Sequence, residues 1–331
     1  MNNGNFYDDP IQNTRLLPER VAYFRFADYE AGKSAGENAN PTVKPPVTIN
    51  GLNVRFRVRQ LASVGYAGGY EGEFGICNLG RELMSDLANI YEAPKGDQPG
   101  YRRVQFYAGY QNAQANSMLN GAALVLDGNI LKTHVATAPP DVWFEFRAFT
   151  YLKDIKEDII VGGDKGVDFK SVLIWASQKC GFDAPLYLAK TEFTVKQFKI
   201  SGTVQKVMED LQYAASLNKL ILLQRFGKDQ KIQLVVCDKE EKATEQQLSP
   251  LGNTWRISEQ NGMIGVPEIS IGHATVTTQF NPHIRPLDTV YLKSNLMPYW
   301  NDKFFVARIE HFGELRGKDF CTRLDLLKKW S

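Results

Sequence analysis

Cysteine and histidine are scarce in this chain and net charge is nearly absent, and each shortage removes a class of function. The four cysteines, Cys77, Cys180, Cys237 and Cys321, stand singly among 331 residues. Without CxxC spacing they define neither a zinc site nor a disulfide framework, and they read as free thiols in a reducing cytoplasm. The histidines, His134, His273, His283 and His311, are equally isolated: there is no HExxH pair for a metal and no GxSxG elbow for a nucleophile. Thirty-nine basic residues face 37 acidic ones, a formal charge of +2, so no bulk field holds nucleic acid or an anionic membrane. No window approaches the ~18 apolar residues of a membrane span, and the start, MNNGNFYDDP, lacks the basic and apolar regions of a secretory signal. No residue is nominated as catalytic, cofactor-binding or metal-binding, and no cofactor is expected.

What is present is an ordinary soluble composition, 43% hydrophobic and 23% charged, in a chain long enough for two or three domains. The most legible stretch is the last, residues 281–330. Val290, Leu292 and Ser294 alternate with Tyr291 and Lys293, and Phe305, Ala307 and Ile309 alternate with Val306, Arg308 and Glu310. A third alternation runs from Phe320 to Leu326 after a breaker loop at 313–317. Three antiparallel strands follow. A looser copy lies between Val104 and Ala148, where LDGNIL takes the place of FVARIE and DVWFEFRA that of FCTRLDLL. The chain therefore carries one sheet unit twice.

Taken in order, residues 1–47 form an N-terminal arm with one strand at Val21 to Phe26 and a long loop from Glu30 to Pro46. A β domain spans 48–153. It opens on INGLNVRFRVRQ, whose alternation puts Arg55, Arg57 and Arg59 in one stripe: a phosphate-tracking or carboxylate-pairing row, or else a solvated sheet face or one paired with glutamates across strands. Asn78 caps a helix carrying Leu79, Leu83, Leu87 and Ile90. Asp127-Gly128 carries the signal of a two-residue hairpin turn. An α/β module occupies 154–250, with helices capped by Asp168 and Thr203 and a hairpin around 227–229. A charged linker from Asp238 leads into the second β domain, 251–331. The expected fold class is α+β, mainly β: two similar antiparallel β-barrel-like domains with the α/β module inserted between them.

Few residues invite chemistry. The glycines at 162, 163 and 166 suggest a phosphate loop but lack the Gly-Lys-Ser/Thr ending. Glu310-His311 near Asp319 is the single cluster that resembles an acid/base site. Tyr299-Trp300 is the candidate for a glycan-stacking platform, or else an anchor.

At GMIGVPEIS (262–270), FNPHIRPLDTVYLKS and FFVARIEHFGELRGKDFCTRLDLL, the chain resembles the baseplate hub proteins of tailed phages. YAGYQNAQANSMLNGAALVLDGNI and ISGTVQKVMEDLQYAASLNKLILLQ extend the likeness. The resemblance implies two tube-like domains per chain and a homotrimer whose six units make a pseudo-sixfold ring. Such a ring joins the hexameric tail tube protein to the trimeric central spike, leaves a channel that DNA transits without sequence-specific binding, and also touches tape measure and other baseplate proteins. It implies a virion protein made in the host cytoplasm, without membrane insertion and without enzymatic activity. The rival classes are a peptidoglycan- or glycan-processing tail enzyme and a glycan-binding tail-tip protein.

Overall fold

The computed structural model describes residues 19–28, 47–61, 69–88, 102–111, 121–138, 140–150, 154–226, 232–239 and 253–328. The expected loop 30–46, the hairpin tip at 227–229 and most of the charged linker lie outside the described residues. The first strands are β1 (Glu19–Asp28), β2 (Val47–Ile49), β3 (Val54–Gln60) and β4 (Tyr70–Cys77). Helix α1 (Arg81–Ala88) follows, then β5 (Arg102–Gln111), β6 (Gly121–Ala138) and β7 (Asp141–Phe149). The middle of the chain supplies β8 (Asp154–Asp168), α2 (Phe169–Cys180), β9 (Asp183–Tyr187), β10 (Thr194–Thr203), α3 (Val204–Leu217), β11 (Leu220–Phe226) and β12 (Ile232–Asp238). The last part is β13 (Thr254–Ser258), β14 (Met263–Ser270), β15 (His273–Gln279), β16 (Thr289–Lys293), β17 (Asp302–Glu314) and β18 (Phe320–Leu327). The protein is mainly β, with large antiparallel sheets and few helices.

Thirteen strands form one sheet with the order β14-β15-β18-β17-β3-β4-β7-β6-β5-β1-β2, and β16, bonded to β17, carries β13. Within this sheet the same path occurs twice. The first lobe reads β3-β4-β7-β6-β5-β1 and the second β14-β15-β18-β17-β16-β13, with the strands entering in the same sequence order. A β-bulge recurs too: β6 slips one residue against β7 between Ile130 and Lys132, and β17 slips one against β18 between Val306 and Arg308. These registers make Ile130 equivalent to Val306, three residues away from the match of LDGNIL to FVARIE. The repeat in the sequence is therefore displaced from the repeat in space. The lobes differ at one pairing, since β1 runs antiparallel to β5 while β13 runs parallel to β16.

The lobes join edge to edge. The last residues of β17 pair antiparallel with β3, Glu310 opposite Arg59 and Glu314 opposite Arg55. Each lobe curls over its own core, because alternate residues face one side. Phe24 on β1 meets Phe74 on β4 at 5.3 Å and Phe146 on β7 at 5.5 Å, contacts between strands far apart along the sheet. In the second lobe Trp255, Val276, Val290, Phe304 and Leu324 share one core. At the seam, Phe280 and Phe320 pack at 4.5 Å and both touch Phe56 of β3, so apolar side chains as well as backbone bonds hold the lobes together.

The α/β module has a two-stranded ribbon, β8 with β10, and a three-stranded sheet, β11-β12-β9, on which α2 and α3 pack. Helix α3 starts where the Thr203 hydroxyl accepts from the Lys206 N–H at 3.1 Å. Helix α2 stops at Gly181, whose φ of +75° suits a residue without Cβ. Leu223, Val235 and Cys237 from the far side of the module's sheet pack on Leu287 and Phe305 of the second lobe. Asp168 makes no side-chain cap on α2.

Besides that missing Asp168 cap, two further local expectations are corrected. Asp127-Gly128 is not a turn: β6 runs straight through it, changing partner from β5 to β7 at Asn129, which pairs with both Arg103 and Phe149. A Cβ on Gly128 would lie 2.7 Å from the Phe149 carbonyl oxygen, so glycine is needed there for close approach rather than for a bend. Asn78 does not cap α1. It adopts φ of +54°, accepts from the Val142 N–H at 3.0 Å and donates to Asp141 at 3.2 Å, tying β4 to β7.

Candidate functional site

The arginines of β3 leave the sheet on the face opposite the buried Val54, Phe56 and Val58. Each meets a carboxylate from a different strand. Arg55 pairs with Glu145 of β7 and stacks 4.3 Å above the Trp143 ring. Arg57 pairs with Glu310 of β17, across the seam between lobes. Arg59 donates to Glu71 of β4 from two nitrogens, at 3.0 and 2.7 Å. Further out, Arg147 pairs with Glu73 at 2.8 Å, Arg308 with Asp325 at 2.7 Å and Arg323 with Glu268 at 3.4 Å. These six pairs make one balanced face that crosses both lobes. A trough of about 540 Å³ runs along its first-lobe part, with Lys132 and His134 of β6 on one side.

Of the readings of the arginine stripe, the structure shows the cross-strand pairs with glutamates. Exposed pairs of this kind add at most about 1 kcal/mol each to stability. Their larger effect is on the field, because a paired guanidinium offers an approaching polyanion little net charge beyond a Debye length of about 8 Å.

The acid/base cluster does not assemble. Glu310 and His311 are neighbours on one strand and so face opposite ways: Glu310 lies on the charged face, whereas His311 is buried against Phe280. The Thr322 hydroxyl accepts from the Asn281 N–H at 2.9 Å and also hydrogen-bonds His311 Nδ1, 2.9 Å away. Burial lowers the His311 pKa to about 3. Asp319 sits in the loop after β17, where its carbonyl accepts from the Glu314 N–H.

The other candidates also resolve into structure. Gly162 lies in the backbone ladder of β8 opposite Gln197, not in an anion-binding loop. Tyr299 is 95% exposed, but Trp300 packs on the second lobe's core beneath Lys328, so the two do not form a platform. All four cysteines are buried free thiols. Among the described residues, no three His, Cys, Asp or Glu side chains converge as metal ligands, and no helix is long and apolar enough to cross a membrane.

One group escaped sequence reading. Asp288, buried in the second lobe, accepts from Trp255 Nε1 at 2.6 Å and from the backbone N–H groups of Asn253 and Arg285 at 2.9 Å each. Desolvation outweighs these donors and raises its pKa to about 6. The sole local sign was an acid in the turn-forming run Arg285-Pro286-Leu287-Asp288.

The sequence model of a family described as baseplate hub gp41 matches residues 72–325. No curated protein matches the chain. Among solved structures, the fold is similar to a tail protein from Neisseria meningitidis MC58, with TM-score 0.53 and 9% identity over 93% of this chain and 96% of that one. It is also similar to the 43 kDa tail protein of prophage MuSo2 from Shewanella oneidensis, with TM-score 0.53 and 8% identity over 94% and 97%. A third similar structure is the E. coli c3393 protein, with TM-score 0.51 and 7% identity over 83% and 73%. That protein is described as a type VI secretion component structurally similar to the T4 bacteriophage tail proteins gp27 and gp5.

Proposed function

Because the chain belongs to the baseplate hub gp41 family, and is thus a structural protein of a phage tail baseplate, we propose that three copies form the ring between tail tube and central spike. Each copy contributes two tube-like domains, so the trimer offers six similar units to a sixfold tube and three identical faces to a trimeric spike. The observation that carries this reading is the strand order repeated in the two lobes, which lie side by side in one sheet. Two like units already joined within a chain are what a threefold object needs to imitate sixfold symmetry, and a head-to-tail contact closes into a ring when its rotation permits.

The balanced face then lines an axial channel, where DNA passes without sequence-specific binding. The α/β module lies on the second lobe and is free to contact other baseplate proteins, the tape measure among them. The protein works through interfaces and is not an enzyme. A glycan-processing tail enzyme predicts cell-wall turnover that is lost in Glu310→Ala or Asp319→Ala. We expect no turnover from the unaltered protein.

The test is native mass measurement of the protein alone and with its spike partner. A trimer, free or spike-dependent, is expected. A chain that stays monomeric in both conditions overturns the ring.

A further inference from the structure

The seam between the lobes fixes what the outer edges of the same chain lack. In β17 the first residues pair with β16, and the last, Glu310–Glu314, pair with β3. In the equivalent strand β6 the first residues pair with β5, but beyond Asn129 no described strand pairs with that edge. The strand equivalent to β3 is β14, which among the described strands is bonded to β15 alone. Each chain therefore ends in the two halves of a seam that its middle contains whole.

Exposure follows the same logic. Shared registers make Leu131 equivalent to Ala307 and Val135 equivalent to His311. At the seam His311 is 7% exposed, whereas its equivalent Val135 is 40% exposed; at the bulge just before the seam Ala307 is 4% exposed, whereas Leu131 is 48%. On β14, Ile264 and Val266 are 45% and 49% exposed. The seam pairs Arg57 with Glu310, and at the equivalent places stand Glu268 and His134, with the cation Lys132 two residues before His134 on the same strand.

We propose that β6 of one copy adds antiparallel to β14 of a second copy, with His134, Val135 and Ala136 opposite Ser270, Ile269 and Glu268. This rests on the ring reading and specifies its interface. Against β15, β14 slips between Ile264 and Glu268, the stretch that holds Gly265, at φ of +75°, and Pro267. Pro267 has no N–H to donate, so the added ladder is short. A proline on an open edge also discourages indiscriminate strand pairing.

Opposed residues of an antiparallel pair stand about 4.5–5.5 Å apart at Cα, within disulfide range. Full-length protein carrying His134→Cys and Ser270→Cys, both on the exposed face, is assembled into tails and oxidised. Covalent dimers and closed trimers are expected on a non-reducing gel, with neither single variant giving them. A second double variant, Lys132→Cys with Ile264→Cys, lies out of register and should stay unlinked. Three hub copies per tail by native mass, with no 134–270 link or with preferential 132–264 linkage, overturn the strand addition while leaving the ring intact. A single copy per tail overturns the ring reading itself, and this interface falls with it.

Discussion

His311 and Asp288 are both buried titrating groups, and they pull stability in opposite directions as pH changes. His311 titrates at about 3 in the fold against an ordinary 6.5. As pH falls from 6.5 toward 3, the unfolded chain takes up a proton that the folded chain refuses, so stability is lost. Asp288 titrates at about 6 against an ordinary 3.8. As pH falls from 6 toward 3.8, the folded chain holds a proton that the unfolded chain releases, so stability is gained; that gain is absent above pH 6. His311→Gln removes the first effect and Asp288→Asn the second. Each lowers the melting temperature at pH 7.5, the asparagine by setting an NH2 group against N–H donors. From pH 6.5 to 4 the gap between wild type and His311→Gln should narrow, while that between wild type and Asp288→Asn should widen. Thermal denaturation at half-unit pH steps checks both slopes.

Among the elements, β17 carries the greatest demands, because at Gly313 it is paired with β18 on one side and β3 on the other. A Cβ there would stand 2.7 Å from the Asp319 carbonyl oxygen and from Phe320 Cα, backbone atoms that cannot rotate away. Gly313→Ala should cost about 1–3 kcal/mol and lower the midpoint by several degrees. Gly80→Ala, ahead of α1 with nothing within 4 Å of the added carbon, should change little. Calorimetry of the two variants tests the contrast. The alternation that marked β3 was legible because it buries one face and wets the other, and most of β18 follows it. The one read for β17 fails before its bulge, where Val306 rather than Phe305 joins Ile309 in the lobe core and Phe305 is buried on the other face against the module. What connects these strands was not legible. Asp127-Gly128 has turn chemistry, yet Arg103 and Gln105 hold the Asp127 carboxylate across the ladder, and the straight strand wins. The repeat was visible as a type of pattern but misaligned, since its true register is set by backbone bulges at Leu131 and Ala307 that no side chain announces. The arginine stripe could be read; its carboxylate partners, up to 253 residues away along the chain, could not.

For the whole molecule, the proposed channel turns on how the balanced face treats a passing polyanion. The three arginines of β3 are matched by Glu145, Glu310 and Glu71, so the face attracts phosphates weakly at physiological salt. Replacing those three acids by glutamine leaves the fold's shape and hydrogen-bonding reach nearly intact while freeing three guanidinium charges. Duplex DNA binding by the unaltered protein should be negligible at about 0.15 M salt. The triple variant should bind, with log K falling against log salt at a slope of up to about −2.7, the value for three neutralised phosphates. Fluorescence anisotropy across a salt series reads both quantities. If the unaltered protein binds as strongly and as salt-dependently as the variant, the carboxylates do not neutralise the stripe, and a smooth wall for DNA transit loses its physical basis. If the variant alone binds, particles carrying it should adsorb normally and, on the proposed channel, eject their genomes more slowly, because each freed arginine would then hold the phosphates that pass it.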